Sequence, residues 1–376
     1  MKTTPPSAQY NLSANAVLWL EFIPSPPAPR STSEHPKGHL FWQGSHYFPR
    51  LGIMHNVMSP LIIVGCTASG KSDLAEFLAE NWLGPAGQAA VVMAVDSMQV
   101  YRGMDIGTAK PCIQTRQRIS HKMIDVADPW ESYSAARFAA TATPILDQCR
   151  ASQTPLILVA GTILYLRALL EGLFEGPAAN PEIRSRLAAF AAEHSLAALH
   201  QELSGIDPVS AARIHPNDQR RIIRALEVFR LTGQTISDLQ TQWQHQHPQI
   251  SARIIGISRD KSDLNSRINR RVRAMLDLGL VDEVDRLAAA PGGLSDQARQ
   301  AVGYREILDY LAGRMQLPDA LERIKINTRH LAKLQRTWLK RFPSVEWIPT
   351  DAARSIQEIA QPILNQLRSS ALQPKI

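Results

Sequence analysis

Gly65-Cys66-Thr67-Ala68-Ser69-Gly70-Lys71-Ser72 is an uninterrupted G-x-x-x-x-G-K-[ST] string. Residues of these types at this spacing can grip an anion. The two glycines let backbone N–H groups turn inward, Lys71 brings a positive charge to phosphate oxygens, and the Ser72 hydroxyl can ligate Mg²⁺. The string indicates a diphosphate or triphosphate without specifying ATP. An N-K-x-D string for guanine is absent, and so is an apolar strand closing on paired acids. Asp96 is the second candidate, because it directly follows the apolar run Val91–Val95. A carboxylate there can hold Mg²⁺ through water or act as a general base. Tyr101–Pro111 is polar and glycine-bearing, as a substrate loop would be. Thr162, after Ala160-Gly161, is either a helix N-cap or a third group facing the same crevice. Cys66, Cys112 and Cys149 are far apart and form no C-x-x-C pair, which argues against zinc and fits a reducing, cytoplasmic setting.

These residues need a scaffold that brings them together. Leu61–Val64 reads as a short strand ahead of the phosphate loop, with a helix to about Leu83 after it. Ala89–Val95, Lys122–Val126 and Pro155–Ala160 read as further strands, and Tyr133–Arg150 and Thr162–Glu171 as helices. Such alternation implies a parallel sheet covered on both faces, whose strand C-termini open on one crevice. Lys71, Asp96 and Thr162 all follow strand ends. Residues 177–247 are helical only, with Arg-rich amphipathic stretches at Pro181–Leu203 and Asn217–Thr232. Arg253–Ser258 is one more core strand, and the chain is helical again from Asp260 to about Phe342. The expected organisation is therefore an extension at 1–57, the first part of an α/β core at 58–176, a helical insertion at 177–247, a core return strand with basic helices at 248–342, and a partly helical tail at 343–376. Eight of the 25 prolines fall in the first fifty residues, which read as disordered. Met54 and Met58, just ahead of the first strand, fit an upstream extension read from an early start codon.

At 376 residues, 44% hydrophobic and 20% charged, the chain can bury a core without disulfides. Lys+Arg outnumber Asp+Glu by 41 to 34, a net +7, which favours a polyanionic partner. No apolar run reaches membrane-helix length, so no membrane association is expected.

Seven strings in order then resemble one family. They are Gly65–Ser72; Asp96-Ser-Met-Gln-Val-Tyr; Asp105-Ile-Gly-Thr-Ala-Lys-Pro; Gly161-Thr with Leu164-Tyr165; Asn217-Asp218 with Arg221-Ile-Ile-Arg-Ala-Leu-Glu-Val; Val302-Gly-Tyr; and Ala332-Lys333 with Gln335, Thr337 and Trp338. Together they resemble tRNA dimethylallyltransferases from about Pro60 to about Arg341, while residues 1–55 match nothing in that family. The resemblance implies an α/β fold: a P-loop NTPase-like parallel sheet core with a helical insertion and a helical C-terminal region. It also implies transfer of a dimethylallyl group from dimethylallyl diphosphate to N6 of the adenosine 3′-adjacent to the anticodon of tRNA.

On this resemblance the phosphate loop, Gly65, Cys66, Thr67, Ala68, Ser69, Gly70, Lys71 and Ser72, holds the prenyl diphosphate, and Arg271 reaches it from the other side. Mg²⁺ is the implied cofactor, on Ser72. Asp96 is the base, and Thr162 lies between diphosphate and adenosine. The adenosine must leave the anticodon stem-loop to react. Ser97, Met98, Gln99, Arg184, Arg299 and Tyr304 are the implied tRNA contacts. Arg220, Arg221 and Arg224 cluster at one helix start, with 221 and 224 on one face. Lys333, Arg336 and Lys340 belong to a basic stripe with Arg329, opposite Leu331, Leu334 and Trp338. A cytoplasmic monomer is expected.

Four positions depart from the family pattern. Cys66 stands where proline is usual, and a thiol there could confer oxidation sensitivity. Ala160 stands where glycine is common, Leu334 where a basic residue is common, and Arg220 where glutamine is common. The competing readings are an ATP-dependent small-molecule kinase on the same core, a prenyltransferase acting on free adenine nucleotides, and a non-catalytic RNA-binding module. The Asp96-to-Pro111 strings oppose the first, the insertion and basic C-terminal helix oppose the second, and the intact Gly70-Lys71-Ser72 with Asp96 opposes the third.

Overall fold

In a computed structural model of the chain, residues 59–172, 176–239, 250, 252–340, 342 and 344–372 are described. The expected extension at 1–57 and the end of the expected insertion, 240–247, lie outside them.

Six parallel strands form one sheet: β1 Leu61–Gly65, β2 Val91–Val95, β3 His121–Lys122, β4 Leu156–Ala160, β5 Arg253–Arg259 and β6 Val345–Thr350, in the order β3-β2-β4-β1-β5-β6. The continuous apolar runs LIIVG, VVMAV and LILVA suit strands buried on both faces. Register places Ile62 beside Leu158 of β4 and Ile254 of β5. Alternate residues then serve opposite faces. Ile62, Val64, Met93, Val95 and Leu158 pack with Phe138 and Leu146 of α3 (Ala135–Ala151) and Leu166 of α4 (Ile163–Glu171). Leu61, Ile63, Ile157 and Ile255 pack instead with Leu74 and Leu78 of α1 (Lys71–Asn81). Truncating any of these buried side chains to Ala would cost about 2–5 kcal/mol.

Two strands differ from the sequence reading. β3 stops at Lys122 rather than running to Val126, because Met123 and Asp125 take left-handed backbone angles, φ 63° and 57°. A sixth strand, β6, lies in the segment read as a partly helical tail. It pairs with β5 at the sheet edge, where Pro349 withdraws no ladder donor the sheet needs. After the short α2 (Ile113–Arg118), α3 and α4, the insertion folds as α5 Pro181–His194, α6 Leu196–Ile206, α7 Pro208–Arg213, α8 Gln219–Thr232 and α9 Ile236–Leu239. The stretch read as one amphipathic run, Pro181–Leu203, is broken at Ser195, which has φ 104° and caps α6. The insertion has its own core of Leu187, Leu199, Leu203, Ile222 and Leu226.

The helical region after β5 comprises α10 Lys261–Asp277, α11 Leu280–Ala289, α12 Asp296–Arg299, α13 Tyr304–Leu311 and the long α14 Leu317–Leu339. α15, Ile356–Leu372, follows β6. Ile324, Ala332 and Leu339 of α14 join the α3/α4 face of the sheet, and Ile359, Ile363 and Leu364 of α15 join the α1 face. Among the described residues no helix is long and apolar enough to cross a membrane.

Candidate active site

The phosphate loop leaves the central strand β1 and opens α1. A Cβ on Gly65 would lie 2.7 Å from Ser69 Oγ and 3.0 Å from the Ile257 carbonyl, so the loop can fold back on itself only around glycine. Gly70, at φ 100°, caps α1 in the left-handed region, and Ala68 holds φ 62° without being glycine. Such strain persists where surrounding contacts impose it. Three guanidinium-bearing or amide side chains impose it here. Arg259 Nε donates to the Ser69 carbonyl (2.7 Å), Arg267 Nε to the Ala68 carbonyl (2.8 Å), and the Thr67 N–H donates to Gln335 Oε1 (2.7 Å).

The result is a cationic, under-satisfied nest. Ser69 Oγ is buried with no hydrogen-bond partner. Lys71 Nζ donates to the Cys66 carbonyl at 2.9 Å, and burial pushes its pKa down to about 8 from an ordinary 10.5. Arg271, placed by α10, reaches Thr67 Oγ1 at 3.4 Å, and its pKa too is lowered, by burial first and by Arg267 beside it. Crowded, desolvated cations of this kind are the setting for an anion. Cys66 lies in the same nest, and burial raises its pKa, so the thiol stays protonated. Ser72 is exposed on the first turn of α1 and lines the cleft. Among the described residues no group of three or more His, Cys, Asp or Glu could hold a metal. The oxygen donors present, the Ser72 and Ser69 hydroxyls, suit a hard cation that takes its other ligands from phosphate and water.

Asp96 follows β2 and faces the loop across the cleft. Its Oδ1 accepts from Met98 N–H (2.8 Å) and Gln99 N–H (3.2 Å), which fixes the carboxylate and leaves Oδ2 toward Gly161. The charge of Asp96 acts on Lys71, so the two ends of the cleft are electrostatically connected. Thr162 sits at the N-cap position of α4, yet its hydroxyl does not cap. It accepts from Ser97 N–H (3.0 Å) and donates to Ser97 Oγ (3.2 Å). Thr162 is half-buried beside the cleft without lining it.

The cleft is lined by the loop, Asp96, Met98, Gln99, Gly107–Ala109, Gly161, Arg271 and Gln335, with an apolar wall of Val159, Val272, Met275, Val302, Ile324 and Leu331. Its 107–109 rim is set by Glu283, 3% exposed, whose carboxylate accepts from the N–H groups of Asp105 (3.0 Å), Ile106 (2.7 Å) and Gly107 (3.1 Å). Lys110, almost fully buried, ties the same loop to Asp105 and Asp125.

The expected tRNA contacts divide into two groups. Met98 and Gln99 line the cleft, and Lys333, Arg336, Lys340, Arg299 and Arg220 are exposed. The others make contacts within the protein, some of them while still reaching the surface, as the half-exposed Arg184 does. Ser97 is buried against Thr162, and Tyr304 is fully buried with its hydroxyl on Glu283 (2.5 Å). Arg184 and Arg224 both grip Glu227, a fully buried carboxylate, at 2.8 and 2.5 Å. Burial alone would raise the Glu227 carboxyl, but the two guanidiniums outweigh it and hold the group below the usual carboxylate range. Arg221 pairs with Asp218 at 3.4 Å. Arg329 is half-buried and donates to Asn269, so it leaves the exposed stripe.

Sequence reasoning assigned no role to Glu283 or Gln335. Gln335 did carry a signal: between Ala332 and Leu339, at spacings of three and four, it is a polar residue on the buried face of α14.

The arrangement can bind a diphosphate at one end, present a fixed carboxylate oxygen at the other and hold an apolar group between. The IPP transferase family model matches residues 99–342. The chain is 42% identical over 288 residues to the tRNA dimethylallyltransferase of Geobacter sulfurreducens, covering 77% of this chain and 91% of that one. It is 41% identical over 318 residues to the enzyme of the same name from Xylella fastidiosa, covering 81% and 97%. The crystal structure of the tRNA isopentenylpyrophosphate transferase of Bacillus halodurans superposes with a TM-score of 0.58 at 38% identity, over 84% of this chain and 98% of that one. A eukaryotic dimethylallyltransferase caught acting on tRNA shares the fold, with a TM-score of 0.68 at 24% identity, over 84% and 81%.

Proposed function

The chain belongs to the tRNA dimethylallyltransferase family of prenyl-transferring enzymes, and from that premise we propose that it moves a dimethylallyl group from dimethylallyl diphosphate to N6 of the adenosine 3′-adjacent to the anticodon. The observation that carries the substrate assignment is the cleft itself. It is lined by a cationic phosphate loop, by Asp96 and by apolar side chains that include Val272, Met275, Val302, Ile324 and Leu331. The apolar lining suits a five-carbon chain beside the diphosphate.

In this reading N6 attacks C1 of the dimethylallyl group, the C1–O bond breaks, and diphosphate leaves with the bonding electrons. One N6 proton passes to Asp96 Oδ2, the carboxylate oxygen that Met98 and Gln99 do not occupy. Charge grows on the leaving oxygen, and Lys71, Arg271 and the inward N–H groups stabilise it most at that moment. Lys71 must then exchange the Cys66 carbonyl for phosphate. Mg²⁺, held by Ser72, would add charge neutralisation on the diphosphate. Thr162 acts one step back, through Ser97 on the segment that carries Asp96. Arg299, Arg220, Lys333, Arg336 and Lys340 offer exposed positive charge to the anticodon stem-loop.

The test is incubation of the purified chain and Mg²⁺ with unmodified tRNA and labelled dimethylallyl diphosphate, with ATP hydrolysis followed in parallel. Label entering the tRNA at the adenosine 3′ of the anticodon, without ATP turnover, is the expected result. ATP turnover without prenylation would overturn the reading.

A further inference from the structure

Gln335 touches both ends of the cleft. The side chain is 8% exposed, on the inward face of α14. Its Oε1 accepts from the Thr67 N–H at 2.7 Å, at the crest of the phosphate loop. Its Nε2 donates to the Gly161 carbonyl at 2.8 Å, at the end of β4. Gly161 in turn abuts Asp96: a Cβ there would lie 3.1 Å from Asp96 Oδ2 and 3.7 Å from Gln335 Nε2. One amide thus spans the end that holds the leaving group and the end that takes the proton.

We infer that Gln335 is a positioning residue that sets the spacing between the phosphate loop and Asp96, so that nucleophile, carbon and leaving oxygen line up. Three features support the assignment. First, the amide cannot be reversed, since that would set N–H against N–H at Thr67 and oxygen against oxygen at Gly161. Second, no other side chain is hydrogen-bonded both to a backbone group of the loop and to Gly161 among the described residues. Third, the loop is strained at Ala68, next to Thr67, and a strained crest needs external ties to keep its shape. Gln335 also lines the cleft, but both its polar atoms are engaged, by Thr67 and Gly161. Its contribution is alignment, which is worth about 100-fold in rate for a displacement of roughly 1 Å.

The inference rests on the prenyl-transfer reading, and the experiment separates the two. Gln335→Met keeps the length and loses both bonds. Gln335→Glu keeps the acceptor for Thr67 but sets a carboxylate oxygen against the Gly161 carbonyl. Each full-length variant is compared with the unaltered chain for thermal unfolding, tRNA affinity, KM for dimethylallyl diphosphate, and kcat on an anticodon stem-loop. In both variants kcat should fall about 100-fold, with tRNA affinity within about 3-fold and cooperative unfolding retained. Folded variants with kcat within about 3-fold of the unaltered chain overturn the inference. So does a loss of tRNA affinity at unchanged kcat, which would mark a contact or a packing role. If Gln335→Met fails to fold, Gln335→Glu decides alone. If the unaltered chain itself transfers no prenyl group, the reading of the reaction fails and this role of Gln335 falls with it, whereas activity of the unaltered chain with unimpaired variants overturns the role alone.

Discussion

The Tyr304 hydroxyl donates to Glu283 Oε1 at 2.5 Å in the protein interior, and the same carboxylate gathers three backbone N–H groups of residues 105–107. Burial, and then the Glu283 charge, push the Tyr304 phenol upward, so it remains a neutral donor. This pair is the keystone of the cleft rim. Glu283→Gln puts an amide N–H₂ among donors and should cost about 2–4 kcal/mol, against about 1–2 kcal/mol for Tyr304→Phe. Thermal and urea unfolding measure both. A smaller loss in Glu283→Gln than in Tyr304→Phe would contradict the network.

Asp96→Asn removes the proton acceptor while leaving an oxygen for the Met98 and Gln99 N–H groups. kcat should fall about 10²–10⁴-fold with tRNA affinity unchanged. Single-turnover prenylation beside a binding assay checks this. Weakened tRNA binding with normal turnover of the bound tRNA would move Asp96 from chemistry to recognition.

Lys71 should give the reaction an alkaline limb. Its pKa in the free enzyme is about 8, below the ordinary 10.5, because burial disfavours the charged form. As pH rises through about 8 the cation is lost, and kcat/KM for the diphosphate substrate should fall. Bound diphosphate favours the charged form, so the limb in kcat should lie at higher pH. The sign for stability is opposite to that of an ion pair. A base with a depressed folded pKa opposes folding below about pH 8, and the opposition fades between there and 10.5. A kcat/KM profile flat from pH 7 to 9.5 would refute this assignment.

Arg184 and Arg224 hold the insertion together through Glu227. Glu227→Gln should destabilise the chain by about 3–5 kcal/mol, since it leaves two guanidiniums facing a neutral group. The carboxyl is held low, so its contribution is complete above the ordinary carboxylate pKa and is lost as pH falls through the folded value. Acid unfolding followed by circular dichroism should therefore begin at higher pH in the variant. Identical acid transitions would count against the network.

Lys333 and Arg336 of α14 and Lys340 at its C-terminal cap are exposed. Replacing all three with Gln should raise KM for tRNA and reduce the slope of log affinity against log salt by about 2–3. An unchanged slope would leave them as a solvated face.

The phosphate loop was legible in the sequence because its residues are contiguous and its strand and helix flank it. Asp96 was legible because a strand end predicts where it faces. The partners of Gln335 and Glu283 were not, since they lie 268 and 176–178 residues away. The carboxylate partners of Tyr304, Arg184 and Arg224 were not legible, because a polar residue on a helix does not reveal that a buried carboxylate awaits it. For Arg224 the clue was local: Glu227 stands three residues on, amid an apolar run. β6 was hidden by Pro349 and by its position at the sheet edge, where apolar alternation is weak.

The tie between Thr67 and Gln335 also sets a clock on the newborn chain. Ribosomes add about 5–20 residues per second, so the phosphate loop emerges roughly 15–50 s before the residue that anchors its crest. Leu61–Val64 is made before either of its sheet neighbours, which begin at Leu156 and Arg253. Anion affinity in a nascent chain would therefore report that α14 has been synthesised and docked.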